Sequence, residues 1–170
     1  MPATYEPIAT TTLGSEASSI VFSSIPATYT DLRLVMVGIK PSATNSAPRV
    51  QFNTDTGSST NYSYTQIQGN GSAASSAAAT NDGGIPLIIF DALVSTTPKL
   101  GTLDILNYRG STNKTCLNFE SSDRNGSGRV VLAVGMWRNT AAITTITIND
   151  NSSRNFGVGT TATLYGILRA

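Results

Sequence analysis

The sequence contains no histidine and a single cysteine, Cys116, and these two absences exclude several kinds of chemistry. Histidine is the most common general base and transition-metal ligand, so its absence removes Ser-His-Asp and Cys-His nucleophilic systems and histidine-based zinc sites. One cysteine forms neither an intramolecular disulfide nor a thiolate cluster. Cys116 lies in the pattern KTCLNFES, which predicts a small buried residue on a strand.

Charge is also scarce, since charged residues make up 12% of the chain, about half their usual share. The net charge of +1 provides no basic patch that could follow a phosphate backbone, so nucleic-acid binding is disfavoured. No apolar run reaches the roughly 18 residues of a membrane-spanning helix, and the N-terminus, MPATYEPIATTT, has no signal-peptide core. The composition predicts a soluble protein made in a cytoplasm, without a membrane partner.

Short apolar or alternating segments separated by turn residues run through the whole chain. No segment has the periodicity of a long helix, and Ser, Thr and Asn are abundant. The length suits one domain, residues 1–170, with a sizeable core. We expect an all-β fold, a two-sheet antiparallel β-sandwich that is jelly-roll-like and has about nine or ten strands. Residues 1–13 are expected to form an extended N-terminal attachment arm.

The most strand-like part of the chain is Arg129–Asn149, RVVLAVGMWRNTAAITTITIN. Val130–Trp137 carries apolar residues on both alternating faces, which predicts a strand that is covered on both sides. The sequence NTAA at 139–142 would reverse the chain, and Ile143–Asn149 alternates β-branched Ile and Thr. We therefore predict a long central hairpin.

One segment of low complexity, Gly69–Gly84, has the sequence GNGSAASSAAATNDGG. Its alanines favour helix, but it has no amphipathic stripe that a helix could bury. We expect a long exposed connection with at most one helical turn. Gly69 and Gly71 do not lead from a strand into a helix, as a phosphate-binding loop requires, so they predict a turn.

Without histidine, a pair of carboxylates is the remaining route to hydrolysis, as in glycosidases. Four acids could approach one another in the fold: Asp91, Asp104, Glu120 and Asp123. Nothing in their spacing brings them together, and solvated or ion-paired carboxylates explain them equally well. We therefore expect no catalytic residue and no enzymatic activity. The enzymatic alternative is a histidine-free glycosidase or lyase.

Calcium is the metal that the loop composition would suit, because Asp and Asn supply hard oxygen ligands. The candidate ligands are Asn53, Asp55 and Gly57 in NTDTG, and Asn149, Asp150 and Asn151 in NDNS. Neither group completes a calcium-loop motif, and Asn and Asp side chains bond their own backbone at turns. The sequence therefore predicts no metal and no cofactor.

Aromatic rings on the face of a sandwich can stack on sugar rings. Tyr62, Tyr64 and Tyr108 are the candidate contacts for a glycan or for a protein interface. Tyr62 and Tyr64 share one face of the predicted strand YSYTQIQ, a pattern that core tyrosines also produce. Trp137, at the end of the most apolar strand, is expected in the core.

Four segments carry a likeness to a known family. They are SSIVFSSIPATYTDLRLVMVG at 18–38, QFNTDTGSSTNYSYTQIQGNGSAASS at 51–76, GMWRNTAAITTITI at 135–148 and TATLYGI at 161–167. Together they resemble the small β-sandwich virion structural proteins of tailed bacteriophages. The likeness spans nearly the whole chain and rests on strand and turn patterns rather than on catalytic motifs.

The resemblance implies a non-enzymatic structural protein on the exterior of a tailed-phage virion, as a capsid decoration, a head fibre or a tail-fibre component. It implies other capsid or tail proteins as partners and a symmetric homo-oligomer, with a trimer as the expected form. The protein would be made in the host bacterial cytoplasm and would be located in the virion. The alternative is a receptor-binding module of the adhesion apparatus, in which the polar loops 54–61, 69–84 and 150–159 contact a host-surface glycan.

Overall fold

A computed structural model describes residues 4–38, 48–56, 60–87, 99–122, 128–150 and 154–168. Twelve strands lie in these ranges. They are β1 (Tyr5–Thr12), β2 (Ser19–Phe22), β3 (Asp31–Gly38), β4 (Pro48–Phe52), β5 (Tyr62–Gly69), β6 (Ala74–Asp82), β7 (Ile85–Pro86), β8 (Lys99–Ile105), β9 (Lys114–Ser122), β10 (Arg129–Trp137), β11 (Ile146–Asp150) and β12 (Thr161–Ile167). Within the same ranges, no helix is long and apolar enough to cross a lipid bilayer.

The strands form two antiparallel sheets in a sandwich-like arrangement. The larger sheet has eight strands in the order β1-β12-β3-β8-β9-β10-β5-β6, and the smaller has four in the order β2-β11-β4-β7. The prediction of an all-β fold with two antiparallel sheets is confirmed. The described residues contain more strands than the nine or ten expected.

The chain alternates between the two sheets over most of its length. β1, β3, β8 and β12 belong to the larger sheet, and β2, β4, β7 and β11 belong to the smaller one. Two strand pairs interrupt this alternation, and all four strands belong to the larger sheet. In chain order, β5 and β6 come between β4 and β7, and β9 and β10 come between β8 and β11. We call these four the inserted strands. They lie side by side and make the larger sheet twice as wide as the smaller one.

The core is built from the inward-facing apolar residues of both sheets. Leu34, Leu103 and Leu164 occupy one cross-strand row of the larger sheet and are at most 1% exposed. Val50 and Phe52 of the smaller sheet, which alternate with Arg49 and Gln51, are fully buried. Alternation within each strand therefore identified these core positions, because successive side chains point to opposite faces.

The predicted central hairpin is wrong, because β10 and β11 belong to different sheets. β10 lies between β9 and β5, whereas β11 lies between β2 and β4. Residues 138–145 carry the chain from one sheet to the other. Asn53 stabilises this crossing, since its Oδ1 accepts hydrogen bonds from the backbone N–H groups of Thr144 at 2.8 Å and Thr145 at 3.2 Å.

The segment 69–84, predicted as a connection, is mostly the strand β6, which pairs with β5 as a hairpin. Asn70 builds the turn, because its Oδ1 accepts hydrogen bonds from the backbone N–H groups of Ser72 at 3.0 Å and Ala73 at 2.8 Å. Gly71 within the turn has a φ of 89°, which glycine adopts without strain. The side chains of β6 are mostly exposed, as predicted for this segment.

Residues 5–12, predicted as part of an attachment arm, form the edge strand β1 of the larger sheet. They pair with β12 along nearly their whole length. The hydroxyls of Thr10 and Thr163 also form a cross-strand hydrogen bond of 3.1 Å. The arm prediction is therefore wrong for these residues, and residues 1–3 lie outside the described part of the chain.

Candidate interaction surface

Strand β10 has one buried and one exposed apolar face. Val131 and Ala133 are at most 2% exposed, whereas Val130, Leu132 and Val134 are 51%, 43% and 50% exposed. The prediction that this strand is covered on both sides is therefore wrong. The smaller sheet packs on one face of the larger sheet, and no described layer covers the other.

The neighbouring strands extend the exposed side of β10 into a continuous apolar surface. Leu132 is paired with Phe119 on β9 and with Ile67 on β5. Val134 is paired with Leu117 on β9. Cross-strand pairs on one face lie about 5 Å apart, so these side chains contact one another.

We define the outer apolar face as the exposed large apolar residues at the outward positions of β3, β8, β9, β10 and β5. They are Val37, Leu100, Leu117, Phe119, Val130, Leu132, Val134 and Ile67. Four spacings between these five strands and three side-chain rows give a flat area of roughly 20 by 15 Å, or about 300 Å². Apolar patches of that size on a single chain are often interaction sites.

A shallow depression of about 630 Å³ lies at the end of this face where β10 meets the β5–β6 hairpin. Its apolar wall is formed by Ile67, Val130 and Leu132, which belong to the outer apolar face. Ala74 and Ser76 of β6 line the opposite side. The outer apolar face therefore continues from the centre of the larger sheet to the edge strand β6.

Among the described outward-facing strand positions of the larger sheet, charge is confined to one place. Arg33 on β3 and Asp104 on β8 are paired across the strands, with Nε and Oδ1 3.2 Å apart. Burial raises the pKa of Asp104, although the Arg33 guanidinium opposes this shift. A nearly uncharged centre with polar groups at its margin has the composition of a protein interface.

Two tyrosines that the sequence analysis did not select lie beside this ion pair. The rings of Tyr5 and Tyr165 stack with their centroids 4.6 Å apart, and Tyr165 is paired with Arg33 across β12 and β3. Tyr5 is 43% exposed. Burial raises the pKa of Tyr5, while Arg33 lowers it. The alternation in TATLYGI could have identified Tyr165, because it places this side chain on the face of β12 opposite to that of the buried Leu164.

The three tyrosines that were predicted as glycan or interface contacts do not form a common surface. Tyr62 and Tyr108 are 0% and 1% exposed, and Tyr64 is half-buried. The Tyr108 hydroxyl donates a hydrogen bond to the Pro26 carbonyl. Burial raises the pKa of both buried phenols. Tyr62 and Tyr108 are therefore not accessible for stacking on a sugar, because both rings are inside the core.

Tyr62 belongs instead to a buried aromatic cluster with Phe52 and Trp137. Its ring centroid lies 6.0 Å from that of Phe52 and 6.5 Å from that of Trp137. The Tyr62 hydroxyl donates to the Asp55 carbonyl at 2.9 Å and accepts the Phe52 N–H at 2.7 Å. The prediction that Trp137 is a core residue is confirmed, since it is fully buried.

Asp55, a predicted calcium ligand, is surrounded by hydrogen-bond donors. Its carboxylate accepts hydrogen bonds from Trp137 Nε1 at 2.6 Å, Asn61 Nδ2 at 3.1 Å and Asn139 Nδ2 at 3.3 Å. Three N–H groups aimed at the same carboxylate occupy the lone pairs that a cation would need. Asp55 therefore joins loops from both sheets. Gly57, the third residue of this candidate site, lies outside the described residues.

The second candidate calcium site is also engaged within the protein. Asn149 Oδ1 accepts a hydrogen bond from Arg49 Nε at 3.2 Å, and its Nδ2 donates to Gln51 Oε1 at 2.8 Å. Asp150 is 7% exposed, and Asn151 is outside the described residues. Across the described part of the chain, no three acidic or cysteine side chains are grouped as a metal site would require.

The two candidate acids that the structure describes, Asp104 and Glu120, do not form a hydrolytic pair. Asp104 faces outward beside Arg33, whereas Glu120 is fully buried on the opposite face of the larger sheet. A sheet therefore separates the two groups. Asp91 and Asp123, the other two candidate acids, lie outside the described residues.

Cys116 is fully buried, so the prediction of a core residue is confirmed. Burial raises the pKa of its thiol to about 12. The neighbouring Lys114 is also buried, and its Nζ donates to the carbonyls of Gly110 at 2.7 Å and Thr112 at 2.6 Å. Desolvation lowers the pKa of Lys114. These polar groups stabilise the end of β9 and are not accessible to a substrate.

The chain matches no protein-family model, no curated protein and no solved structure. The resemblance to phage virion proteins therefore stays a prediction.

Proposed function

We propose that this chain is a non-enzymatic structural protein that assembles through the outer apolar face, on the exterior of a tailed-bacteriophage virion. The observation that carries the proposal is the exposure of the eight residues of this face, which ranges from 38% to 60%. Leaving such residues in water is unfavourable, and covering them gains about 25 cal/mol for each Å² of apolar surface removed from water. A partner layer packed about 10 Å above the sheet would cover them.

The whole outward surface of the larger sheet is wide enough for a stable contact. Eight strands at about 4.8 Å spacing span roughly 34 Å, and strands of this length extend for about 25 Å. The resulting flat area of about 800 Å² is close to the area that each partner contributes to an ordinary stable interface. The stacked Tyr5 and Tyr165 and the guanidinium of Arg33 add residue types that are enriched in such interfaces.

We further propose that the sandwich is a jelly roll that carries two inserted hairpins. Removing the inserted strands leaves β1-β12-β3-β8 in one sheet and β2-β11-β4-β7 in the other. This order supports the proposal, because a jelly roll has eight strands in two four-stranded sheets and its chain crosses repeatedly between them. Jelly rolls build many viral capsid domains, which favours the virion role by analogy of fold.

The inserted strands supply most of the outer apolar face. Six of its eight residues lie on β5, β9 and β10, namely Ile67, Leu117, Phe119, Val130, Leu132 and Val134. Segments that are added to a common fold often form its binding surfaces. We therefore assign the assembly role to the inserted strands, with other capsid or tail proteins, or further copies of the chain, as partners. The resemblance favours a trimer for the homo-oligomer.

The glycan-binding alternative has less support, because Tyr62 and Tyr108 are buried in the core. Tyr64 is half-buried and has no exposed tyrosine beside it on β5. No described group of aromatic and polar side chains replaces them at the loops that were proposed to contact a glycan.

Quantitative mass spectrometry of purified particles of a phage that encodes this chain tests the virion role. We expect the chain in a fixed, stoichiometric ratio to the major capsid or tail proteins. Gold-labelled antibodies on intact particles would then show whether it lies on the head or the tail. Absence of the chain from purified particles would overturn the proposed location.

A further inference from the structure

We propose that β6 pairs antiparallel with β6 of a second copy of this chain, around a two-fold axis at Ala77. β6 is the edge strand of the larger sheet and pairs with β5 on one side. No described strand lies against its other side. The free N–H and C=O groups of an edge strand are a template for another strand.

The hairpin turn shows which backbone groups of β6 are free. The N–H of Asn70 donates to the carbonyl of Ala73 at 3.1 Å. In an antiparallel ladder, hydrogen-bonded pairs alternate with pairs that are not hydrogen-bonded. Asn70 and Ala73 form a hydrogen-bonded pair, so the hydrogen-bonded pairs that follow along the ladder are Gln68 with Ser75 and Gln66 with Ala77. Ala77 therefore uses its N–H and C=O groups toward β5. Ser76 and Ala78 therefore direct their N–H and C=O groups toward the free edge.

In a single chain, β6 gains little from burial. Residues 74–78 are exposed on both faces of the strand, and only Ala79 and Asp82 are half-buried. Alanine and serine have low preference for strands, and β6 pairs with β5 alone among the described strands. A second strand along the free edge would supply the missing hydrogen bonds on that side.

The sequence of β6 favours a second copy over a foreign strand. Around an axis at Ala77, Ser76 of one copy would lie opposite Ala78 of the second copy. Ala74 of one copy would likewise lie opposite Thr80 of the second copy. Every residue from Ala74 to Thr80 is small and uncharged, so no bulky or like-charged side chains meet. Peptides that add to a sheet edge are recognised through pockets for alternate side chains. The depression that Ala74 and Ser76 line lies on the side of β6 toward β5 and β10, not along the free edge, and small side chains such as alanine and serine build no deep pockets.

The strand also lacks the features that usually protect an exposed edge. Lysine, proline and inward-pointing charges block edge pairing in monomeric proteins, and residues 74–80 contain none of them. The β5–β6 ladder does carry an irregularity between Thr80 and Asp82, so only the regular part of β6, residues 74–80, offers an unprotected edge. The contact would yield an even-numbered assembly, either a dimer or a pair of trimers.

Disulfide trapping of Ala77→Cys tests the register. At the axis, the two copies of residue 77 form a pair that is not hydrogen-bonded, with Cα atoms about 4.5 Å apart, which is within disulfide range. The native Cys116 is buried and does not compete. We expect most of the oxidised protein to migrate as a covalent dimer on non-reducing gels.

Ala141→Cys, exposed in the crossing between the sheets, is the matched control and should remain monomeric on the same gels. Absent cross-linking at residue 77, or equal cross-linking at both positions, would overturn the proposal.

Ala78→Pro tests the free edge by a second route. It removes an N–H that faces the second copy and leaves the hydrogen bonds of β5 in place. Ala78→Ser keeps the N–H and is the control. By sedimentation velocity at high micromolar concentration, we expect the wild type and Ala78→Ser to form an even-numbered oligomer and Ala78→Pro to lose the two-fold contact. Far-UV circular dichroism checks that the variants remain folded.

A wild-type chain that is monomeric or trimeric in that measurement would overturn the edge pairing. So would a folded Ala78→Pro variant with an unchanged oligomeric state. Neither result would affect the proposed virion role, which depends on the outer apolar face and is tested in purified particles.

Discussion

Nε1 of Trp137 lies 2.6 Å from a carboxylate oxygen of Asp55. The indole ring is fully buried, with its centroid 5.4 Å from that of Phe52, so this nitrogen has no access to water. A buried N–H requires an acceptor, and Asp55 provides a charged one. The bond joins the end of β10 in the larger sheet to the loop that follows β4 in the smaller sheet.

Asp55→Ala should lower the free energy of unfolding by about 2–4 kcal/mol, because it leaves the Trp137 N–H without a partner inside the protein. The side-chain amides of Asn61 and Asn139 also lose an acceptor. Urea denaturation followed by the fluorescence of the single tryptophan measures this change. Asp104→Ala, at a partly exposed surface ion pair, is the control and should cost about 0–1 kcal/mol. Equal losses for the two variants would contradict the prediction.

Gly135→Ala should destabilise the protein by about 1–3 kcal/mol, because the sandwich is tightly packed at this point. A Cβ at Gly135 would lie 2.6 Å from Cδ1 of Ile85, which packs onto β10 from the smaller sheet. Gly69→Ala is the control, since a Cβ there meets nothing within 4 Å. Its effect should stay within about 0.5 kcal/mol.

Ile85→Val removes the methyl group that obstructs the new Cβ and should rescue Gly135→Ala. The double variant should lose less stability than the two single changes added together. Additive losses in this double-mutant cycle would show that the crowding at Ile85 is not the cause.

Alkaline pH should destabilise the fold partly through Cys116. Burial raises the pKa of its thiol from 9.0 to about 12. Between these values the unfolded chain releases the proton while the folded chain retains it, so the free energy of unfolding falls as pH rises. Urea midpoints measured from about pH 8 to pH 11 should fall less steeply in Cys116→Ala than in the wild type. Parallel pH profiles would contradict this assignment.

Leu132→Lys should prevent incorporation of the chain into virions without unfolding it. The side chain is 43% exposed at the centre of the outer apolar face, so the free energy of unfolding should change by no more than about 0.5 kcal/mol. A buried interface, however, would have to accept an unpaired charge. The amount of the chain in purified particles measures the effect. Val21→Lys, 51% exposed on the smaller sheet, is the control and should be incorporated normally.

Strand positions were largely predictable because alternation is a local property of the chain. In the sequence Leu103 and Ile105 alternate with Asp104, and in the structure they are buried on the face of β8 opposite to it. The partners of β10 and β11 were not predictable in the same way. The sequence at 138–145 would suit a turn within one sheet, and the side chain of Asn53, far away in the chain, directs it to the other sheet.

The outer apolar face was missed because the pattern of β10 has two physical explanations. Apolar residues on both faces of a strand are typical of a strand inside one chain. A strand with one face in the core and the other exposed for a partner has the same pattern. The network at Asp55 was missed for a different reason, since Asn61 and Asn139 lie 6 and 84 positions away along the chain.

The position of β12 between β1 and β3 has a consequence for biosynthesis. During translation, β1 and β3 leave the ribosome long before β12 has been made, so the gap between them stays open. The larger sheet is completed only when β12 pairs with β1 and β3, so folding finishes late in the synthesis of the chain. A nascent chain arrested before residue 161 would leave β1 without a partner strand and one edge of β3 unpaired, open to chaperones and to neighbouring nascent chains.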